Sequence, residues 1–311
     1  MVLPTYRRQD VLRQALEHIQ AQTTNLSDLE VLVYDNGSTN DSRSIAEAFS
    51  QTLNLTYCLN APGHGLGYSL SRGLKEANGE IVIELNDDAL IPPDFISRIT
   101  AIFETDAKIG VVGVQAIEKD YESDSRPIGV IDTKALDVVG NFNQPTSGPV
   151  EVEHVYGFCY AYRQELRGLG AEHDSVLLAR DYSSGNRIET DQCLTAASLG
   201  YRVVYDGSIE VVHLAKPRPD FDERSLKWKL NHWRNTQYLY LKHFGLFGRN
   251  WLAIRFALQD LGALSLLRQP NKTNWMYFWT GIKARISALW HWAKFCRINK
   301  RMSHRTRTNP V

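Results

Sequence analysis

Three short apolar runs, EVLVYD (30–35), LTYCLN (55–60) and EIVIEL (80–85), recur at even spacing, and helical patterns fill the gaps between them. Runs this short, rich in β-branched and aromatic residues and bounded by turn signals, read as strands. Helical periodicity covers roughly 8–21, 41–50 and 67–77, the last closed by Asn78-Gly79. Such β-α-β-α-β alternation predicts an α/β fold with a mainly parallel sheet and helices on both faces. Ligands of such sheets sit at the carboxyl ends of the strands. The strand ends are therefore the places to look for chemistry.

Beyond residue 88 the pattern loosens. Pro92-Pro93 opens a further helix, DFISRITAIFE, and residues 118–150 read as loops around one or two short strands. FCYAYRQEL (158–166) leads into a helix, 171–187 reads as a mobile loop, and ETDQCLTAASLG (189–200) has helical periodicity. YRVVYD and IEVVHL read as two strands, and KPRPD (216–220) as a boundary. From Ser225 the pattern is helical almost to the end. Trp275, Phe278, Trp279, Ile282, Ile286, Leu289, Trp290 and Ala293 share one helix face, whose default use is packing.

Charge separates the same two parts. Residues 1–224 hold 19 Lys/Arg against 34 Asp/Glu, whereas residues 225–311 hold 16 against the lone Asp260, so zero net charge hides −15 and +15. Two partners of different chemistry are expected. For the basic part these are the acidic part itself or the anionic inner face of a membrane. No recognised nucleic-acid fold is visible, so nucleic acid is not expected. Cys58, Cys159, Cys193 and Cys296 make no metal-like spacing and read as reduced thiols. The opening MVLPTYRRQD has no signal-type apolar core, and no run is long and apolar enough to cross a bilayer. A cytoplasmic chain, peripheral at most, is expected.

Several chemistries can be set aside. In APGHGLGYS, Tyr68 stands where a third glycine of GxGxxG belongs, and the segment follows the third run rather than the first. Phosphate-loop and GxSxG motifs are absent. A sugar nucleotidyltransferase would open with a glycine-rich loop where PTYRR stands. What remains is a set of acids at strand ends: Asp35 in YDNGS, Asn86-Asp87-Asp88 in LNDDA, and Glu189 and Asp191 in IETDQ, with His213 closing EVVHL. Adjacent carboxylates repel unless a cation joins them, and Mg²⁺ or Mn²⁺ is commonly held by one or two carboxylates plus a substrate's phosphates.

Taken in order, VLPTYRR, VYDNGSTND, the segment Gly65–Gly73, LNDDALIPPD and ETDQCLTAASLGYRVVYDGSIEVVHL resemble the family 2 glycosyltransferases of the GT-A fold, most of all rhamnosyltransferase-type enzymes of surface-polysaccharide assembly. The resemblance spans about residues 1–215. It implies a GT-A nucleotide-binding sheet flanked by helices over 1–220, with a basic helical extension over 221–311. It also implies a nucleotide-diphosphate sugar donor, dTDP-rhamnose or a UDP-sugar, and a glycan or polyprenyl-linked acceptor.

By position, the resemblance puts Pro4, Thr5, Tyr6 and Arg8 in the nucleotide-sugar pocket, with Asp35 accepting from the base. Asn86-Asp87-Asp88 becomes the DXD-type motif, with Asp87 near the sugar and Asp88 the ligand of Mn²⁺ or Mg²⁺. His213 completes the metal site. Glu189 falls on the catalytic base and Asp191 on the next acidic position. Arg72 either contacts the diphosphate or lies on a solvated helix face. Asp35 can equally close the DNGS turn, and Glu189 and Asp191 can equally be first-turn helix carboxylates. The chain departs from the family pattern at Arg7 and Ser71, where Asn is usual, and in having Glu rather than Asp at 189. A non-catalytic nucleotide-binding scaffold on the same fold is the rival reading.

Overall fold

In the computed structural model, which describes residues 1–38, 41–61, 64–178, 187–214, 223–246, 251–263 and 272–308, the apolar runs become a sheet. β1 (Val2–Thr5), β2 (Glu30–Asp35), β3 (Asn54–Leu59) and β4 (Ile81–Leu85) lie parallel in the order β3-β2-β1-β4. Pro4 is tolerated inside β1 because the β1–β4 pairing is confined to Val2, so on that side no ladder bond is lost. Helices α1 (Gln9–Gln20), α2 (Asp41–Phe49) and α3 (Leu66–Glu76) make the crossovers.

Alternation along the strands sorts side chains into two cores. Leu3, Val31, Val33 and Ile83 join Leu12, Leu16 and Ile19 of α1 and Ile45 and Phe49 of α2. They also meet Phe95, Ile99 and Phe103 of α4 (Phe95–Thr105). The alternate residues Val2, Leu32, Tyr34 and Val82 pack with Leu70 and Leu74 of α3 and with Cys193 and Ala196 further along the chain. Helices on both faces are therefore observed as expected.

The second half of the sheet departs from the parallel expectation. β5 (Ala89–Leu90), β6 (Ile109–Ile117), β9 (Pro149–Glu151), β10 (Cys159–Arg163) and β11 (Arg202–His213) continue the order as β4-β10-β6-β11-β5, with β9 beside β11. β10 runs antiparallel between β4 and β6, and β5 and β9 run antiparallel to β11, so the nine-stranded sheet is mixed. A buried strand's apolar pattern does not depend on its direction, which is why β10 could not be oriented from sequence.

YRVVYD and IEVVHL are one strand, not two. The DGS between them is a register shift against β6, bulging where Gly207 passes the chain at Gln144–Thr146. Three short strands occupy 118–150 rather than one or two: β9 and the two-stranded β7 (Val130–Asp132) and β8 (Asp137–Val139). After β10 come α5 (Glu165–Gly168) and α6 (Ile188–Ser198). Of the loop expected to be mobile, 179–186 lies outside the described residues. The described part is anchored: His173 is buried against Glu84 at 2.9 Å, and Leu177 is buried too.

Two compact units divide the chain. Among described residues the first holds 1–131, 138–178 and 188–214, and the second holds 132–137, 187 and 223 onward. KPRPD lies outside the described residues. In the second unit, α7 (Glu223–Phe244), α8 (Leu252–Ala263) and α9 (Lys272–Thr308) follow one another. Trp233 meets Tyr277, Tyr238 meets His291, and Lys242 lies over Phe295, so α7 and α9 run parallel. Arg285 of α9 stacks on Phe256 of α8 and donates to Gln259 Oε1 at 3.0 Å.

The apolar face expected to pack does so only in part. On α9, Ala284, Arg285 and Ala288 are buried and Phe278, Ile282, Leu289 and Ala293 half-buried, whereas Trp275, Trp279, Ile286 and Trp290 stay 44%, 50%, 63% and 61% exposed. Among the described residues no helix is long and apolar enough to cross a membrane.

Candidate active site at the strand ends

β4 ends in Leu85 and the chain turns at once, Ala89 N–H donating to Asn86 carbonyl at 3.1 Å. Asn86 N–H donates to the carbonyl of Phe158, fixing the turn to the start of β10. The next two residues form β5, which pairs Ala89 with His213 and Leu90 with Val212. Leu214 N–H donates to Asp88 carbonyl at 2.8 Å. This register is what brings Asp88 and His213 together from distant parts of the chain.

Asp87 and Asp88 are both buried. Thr5 Oγ1 donates to Asp87 Oδ2 at 2.8 Å. Arg8, at the start of α1, bridges the pair, with Nη1 2.9 Å from Asp87 Oδ1 and Nη2 2.7 Å from Asp88 Oδ2. Arg8 thus appears as the internal counter-charge of the acids, a role the sequence resemblance did not assign it.

The two carboxyls are held apart in acidity. Burial pushes Asp87 up to about 6, with Arg8 pulling the other way. Burial acts on Asp88 too, but His213 and Arg8 outweigh it and hold that carboxyl down at about 2. His213 is raised, burial being overcome by Asp88 and Glu118. Asp88 is thus the more acidic of the two carboxyls.

Asp88 Oδ1 is buried without a hydrogen-bond partner and faces His213 Nε2 at 3.5 Å. A carboxylate oxygen and an imidazole nitrogen left facing each other suit a divalent cation, and a buried acceptor left open is costly unless something fills it. Glu118, at the end of β6, takes the other ring nitrogen, Nδ1, at 2.8 Å, which turns Nε2 towards Asp88. The rings of Tyr156 and Phe158 flank His213 at 5.7 and 4.7 Å. Among the described residues no group of three His, Cys, Asp or Glu side chains could hold a metal by itself. A Mn²⁺ or Mg²⁺ held by Asp88 and His213 would need phosphate or water to complete its shell, as is usual for Mg²⁺ beside a diphosphate.

A second polar group lies at the ends of β2 and β3. Asp35 is fully buried, accepting from Ser38 N–H and from Tyr57 hydroxyl, both at 2.7 Å. It closes the DNGS turn, the alternative that the sequence left open. Next to it Asn36, Asn60 and Ser69 form a buried triad with contacts of 2.8–3.0 Å. Arg72 donates to Asn60 Oδ1 at 3.1 Å and to Glu76 at 2.7 Å, and its guanidinium lies over Tyr34. Pro4 is buried in β1 and Tyr6 half-buried just beyond it.

On α6, Glu189 and Asp191 separate clearly. Asp191 is 1% exposed, whereas Glu189 is half-buried. The Glu189 carboxyl lies against Gly157, where a Cβ would come within 2.9 Å of its Cδ and Oε2. Gly157 sits between Tyr156 and Phe158, the two rings that flank His213.

Sequence reasoning missed Glu118, the Asn36–Asn60–Ser69 triad and the buried set of Glu84, Tyr160 and His173, in which Tyr160 hydroxyl donates to Glu84 at 2.7 Å. Glu118 had a signal, being one more acid at the end of an apolar run. Glu84 showed as a charge inside EIVIEL. His173 had none.

A parallel nucleotide-binding half-sheet, an acidic pair at the end of its fourth strand and a mixed second half define a GT-A-type glycosyltransferase fold. Residues 1–168 match glycosyl transferase family 2, and the chain belongs to that family. It is 28% identical over 113 residues to validoxylamine A glucosyltransferase of Streptomyces hygroscopicus subsp. jinggangensis, covering 36% of this chain and 27% of that protein. It is 33% identical over 90 residues to GalNAc(5)-diNAcBac-PP-undecaprenol beta-1,3-glucosyltransferase of Campylobacter jejuni, covering 28% of each. The matched stretch thus spans little more than a quarter of these two relatives. The fold resembles a mannosyltransferase from Pyrobaculum calidifontis in complex with GDP-Man and Mn²⁺, with TM-score 0.53, 21% identity, and 93% and 86% of the two chains covered.

Proposed function

We propose that this chain transfers a sugar from a nucleotide-diphosphate donor to a hydroxyl of a glycan or lipid-linked acceptor, with a divalent cation at Asp88 and His213. The observation that carries this reading is the pairing of Asp88 Oδ1, buried without a hydrogen-bond partner, with His213 Nε2 3.5 Å away, at the ends of β4 and β11 in a family 2 fold. When bound, Mn²⁺ or Mg²⁺ neutralises charge on the diphosphate. The catalytic work belongs to the first unit.

Glu189 is the proposed base, because it is half-buried whereas Asp191 is only 1% exposed. The Glu189 carboxylate takes the proton of the acceptor hydroxyl, whose oxygen bonds to the anomeric carbon. The bond from that carbon to the diphosphate oxygen breaks on the opposite face, the electron pair leaves with the nucleotide diphosphate, and the configuration inverts. Arg8 stabilises the acids before the donor arrives, and the Asn36–Asn60–Ser69 triad and Arg72 supply donors and acceptors at the nucleotide end. Thr5 keeps Asp87 oriented. A dTDP-rhamnose or UDP-sugar donor, and a role in surface-polysaccharide assembly, rest on the sequence resemblance.

The test is a thermal-shift titration with UDP, dTDP, GDP and CDP, each with and without Mn²⁺, on wild type and Asp88→Ala. One nucleotide should stabilise the wild type in a Mn²⁺-dependent way, and the effect should vanish in the variant. No shift with any nucleotide would sink the reading. Binding without transfer from any donor would favour the scaffold.

A further inference from the structure

We propose that the exposed face of α9 docks on a lipid bilayer carrying anionic headgroups. This goes beyond the catalytic reading and does not depend on it. Trp275, Trp279, Ile286 and Trp290 are spaced by 4, 7 and 4 residues, which places them within one narrow arc of an α-helix. From Trp275 to Trp290 the stripe is about 22 Å long at 1.5 Å per residue. α9 does not need it for its own packing. The buried positions are Ala284, Arg285 and Ala288, and Gly281 approaches Trp233 of α7. Three half-exposed tryptophans on one stripe are a large apolar surface left to water, and such surfaces mark an interaction site.

Charge decides which partner fits. Lys283, Lys294 and Arg297 are exposed along the same helix, and Lys294 lies over the Trp290 ring at 5.7 Å. From residue 225 onward the chain has 16 Lys/Arg and the single acid Asp260. A tryptophan stripe rimmed by cations is what an interfacial helix presents to anionic lipid: the indoles sit at headgroup level and the cations meet the phosphates. Trp251, just before α8, and Ile254 and Leu258 on it are further exposed apolar residues. α9 itself carries no Asp or Glu anywhere along its length, so it has no acid with which to meet a basic protein partner, whereas its cations suit lipid phosphates.

The experiment is co-sedimentation of the full chain with phosphatidylglycerol–phosphatidylcholine vesicles and with pure phosphatidylcholine vesicles, at 0.1 and 0.5 M salt. It compares wild type, Trp279→Ala/Trp290→Ala and Lys283→Glu/Lys294→Glu, with circular dichroism confirming the fold of each. Wild type should bind the anionic vesicles at least tenfold more tightly than the neutral ones, and more weakly at high salt. Each double variant should lose at least tenfold. Brominated acyl chains should quench wild-type tryptophan emission more than that of the tryptophan variant. Absence of binding to anionic vesicles at 0.1 M salt would overturn the proposal, as would equal binding by the tryptophan variant. A wild-type dimer that the tryptophan variant dissolves, seen by sedimentation velocity, would assign the face to a second copy of the chain instead.

Discussion

Arg7 has φ 52°, in the left-handed region that most L-residues pay to enter and that asparagine tolerates better. Its backbone N–H reaches Ser38 Oγ at 2.7 Å, so the strained residue ties the end of β1 to the DNGS turn. Arginine at this position therefore has a physical cost, partly offset by the guanidinium lying 5.0 Å from the Tyr6 ring. Arg7→Asn should leave stability unchanged or raise it by about 0.5 kcal/mol, whereas Arg7→Val, β-branched, should lose about 1–2 kcal/mol. Denaturant midpoints check this; equal midpoints for Asn and Val would show that backbone strain is not what the position feels. Glu118 is the other residue whose role is local and testable. Glu118→Gln keeps the shape but removes the anion that orients His213 and raises its basicity. Mn²⁺ affinity, measured by electron paramagnetic resonance on the protein without donor, should fall about 10- to 100-fold with little change in melting temperature. Unchanged Mn²⁺ affinity would remove His213 from the metal site.

Among the elements, two glycines set distances that any side chain would spoil. A Cβ at Gly73 would lie 2.3 Å from Val2 Cγ1, so α3 sits directly on β1. Gly73→Ala should destabilise the protein by about 1–3 kcal/mol, as overpacking does, visible as a lower denaturant midpoint at unchanged slope. Gly157→Ala should act differently, because what it meets is the Glu189 carboxylate rather than a core side chain. The expected result is a fall in kcat of at least tenfold, with nucleotide binding and melting temperature nearly intact. Full activity in that variant would mean that Glu189 is not the base. The same elements show what a sequence can tell. β2 matched its apolar run residue for residue, because a strand buried on both faces leaves a continuous run that turns bound sharply. The direction of β10 and the merging of two runs into β11 were not legible, since pairing depends on partners far along the chain. For that reason the resemblance could put Asp88 and His213 at one metal site, but the β5–β11 register that brings them together was not legible. In α9 the periodicity showed which residues share a face, and only the structure showed that Trp275, Trp279, Ile286 and Trp290 of that face stay exposed.

At the scale of the whole molecule, the two units have cores of different kinds. The first is the twice-covered sheet; in the second, Tyr238, Leu239, Tyr240, Leu241, Leu252 and Phe256 are buried among helices. The proposed ligand site lies wholly in the first, since Thr5, Arg8, Asp87, Asp88, Glu118, Glu189 and His213 all belong to it. All seven tryptophans lie at or beyond Trp228, hence in the second. This distribution separates the signals. Tryptophan emission follows the helical unit alone, while far-ultraviolet circular dichroism follows both. A ligand that binds only the native first unit stabilises that unit by RT ln(1 + [L]/Kd), about 2.7 kcal/mol at a hundred times Kd. With Mn²⁺ and the preferred nucleotide, the dichroism curve in urea should therefore develop a component moved to higher denaturant, while the tryptophan midpoint stays where it was. Chains with more than one core commonly unfold in more than one step, so the two probes should already disagree without ligand. If both midpoints moved together by the full amount, the two units would unfold as one. The helical extension would then share the stability of the ligand site, and the exposed stripe of α9 would be presented by a body that nucleotide binding itself makes more rigid.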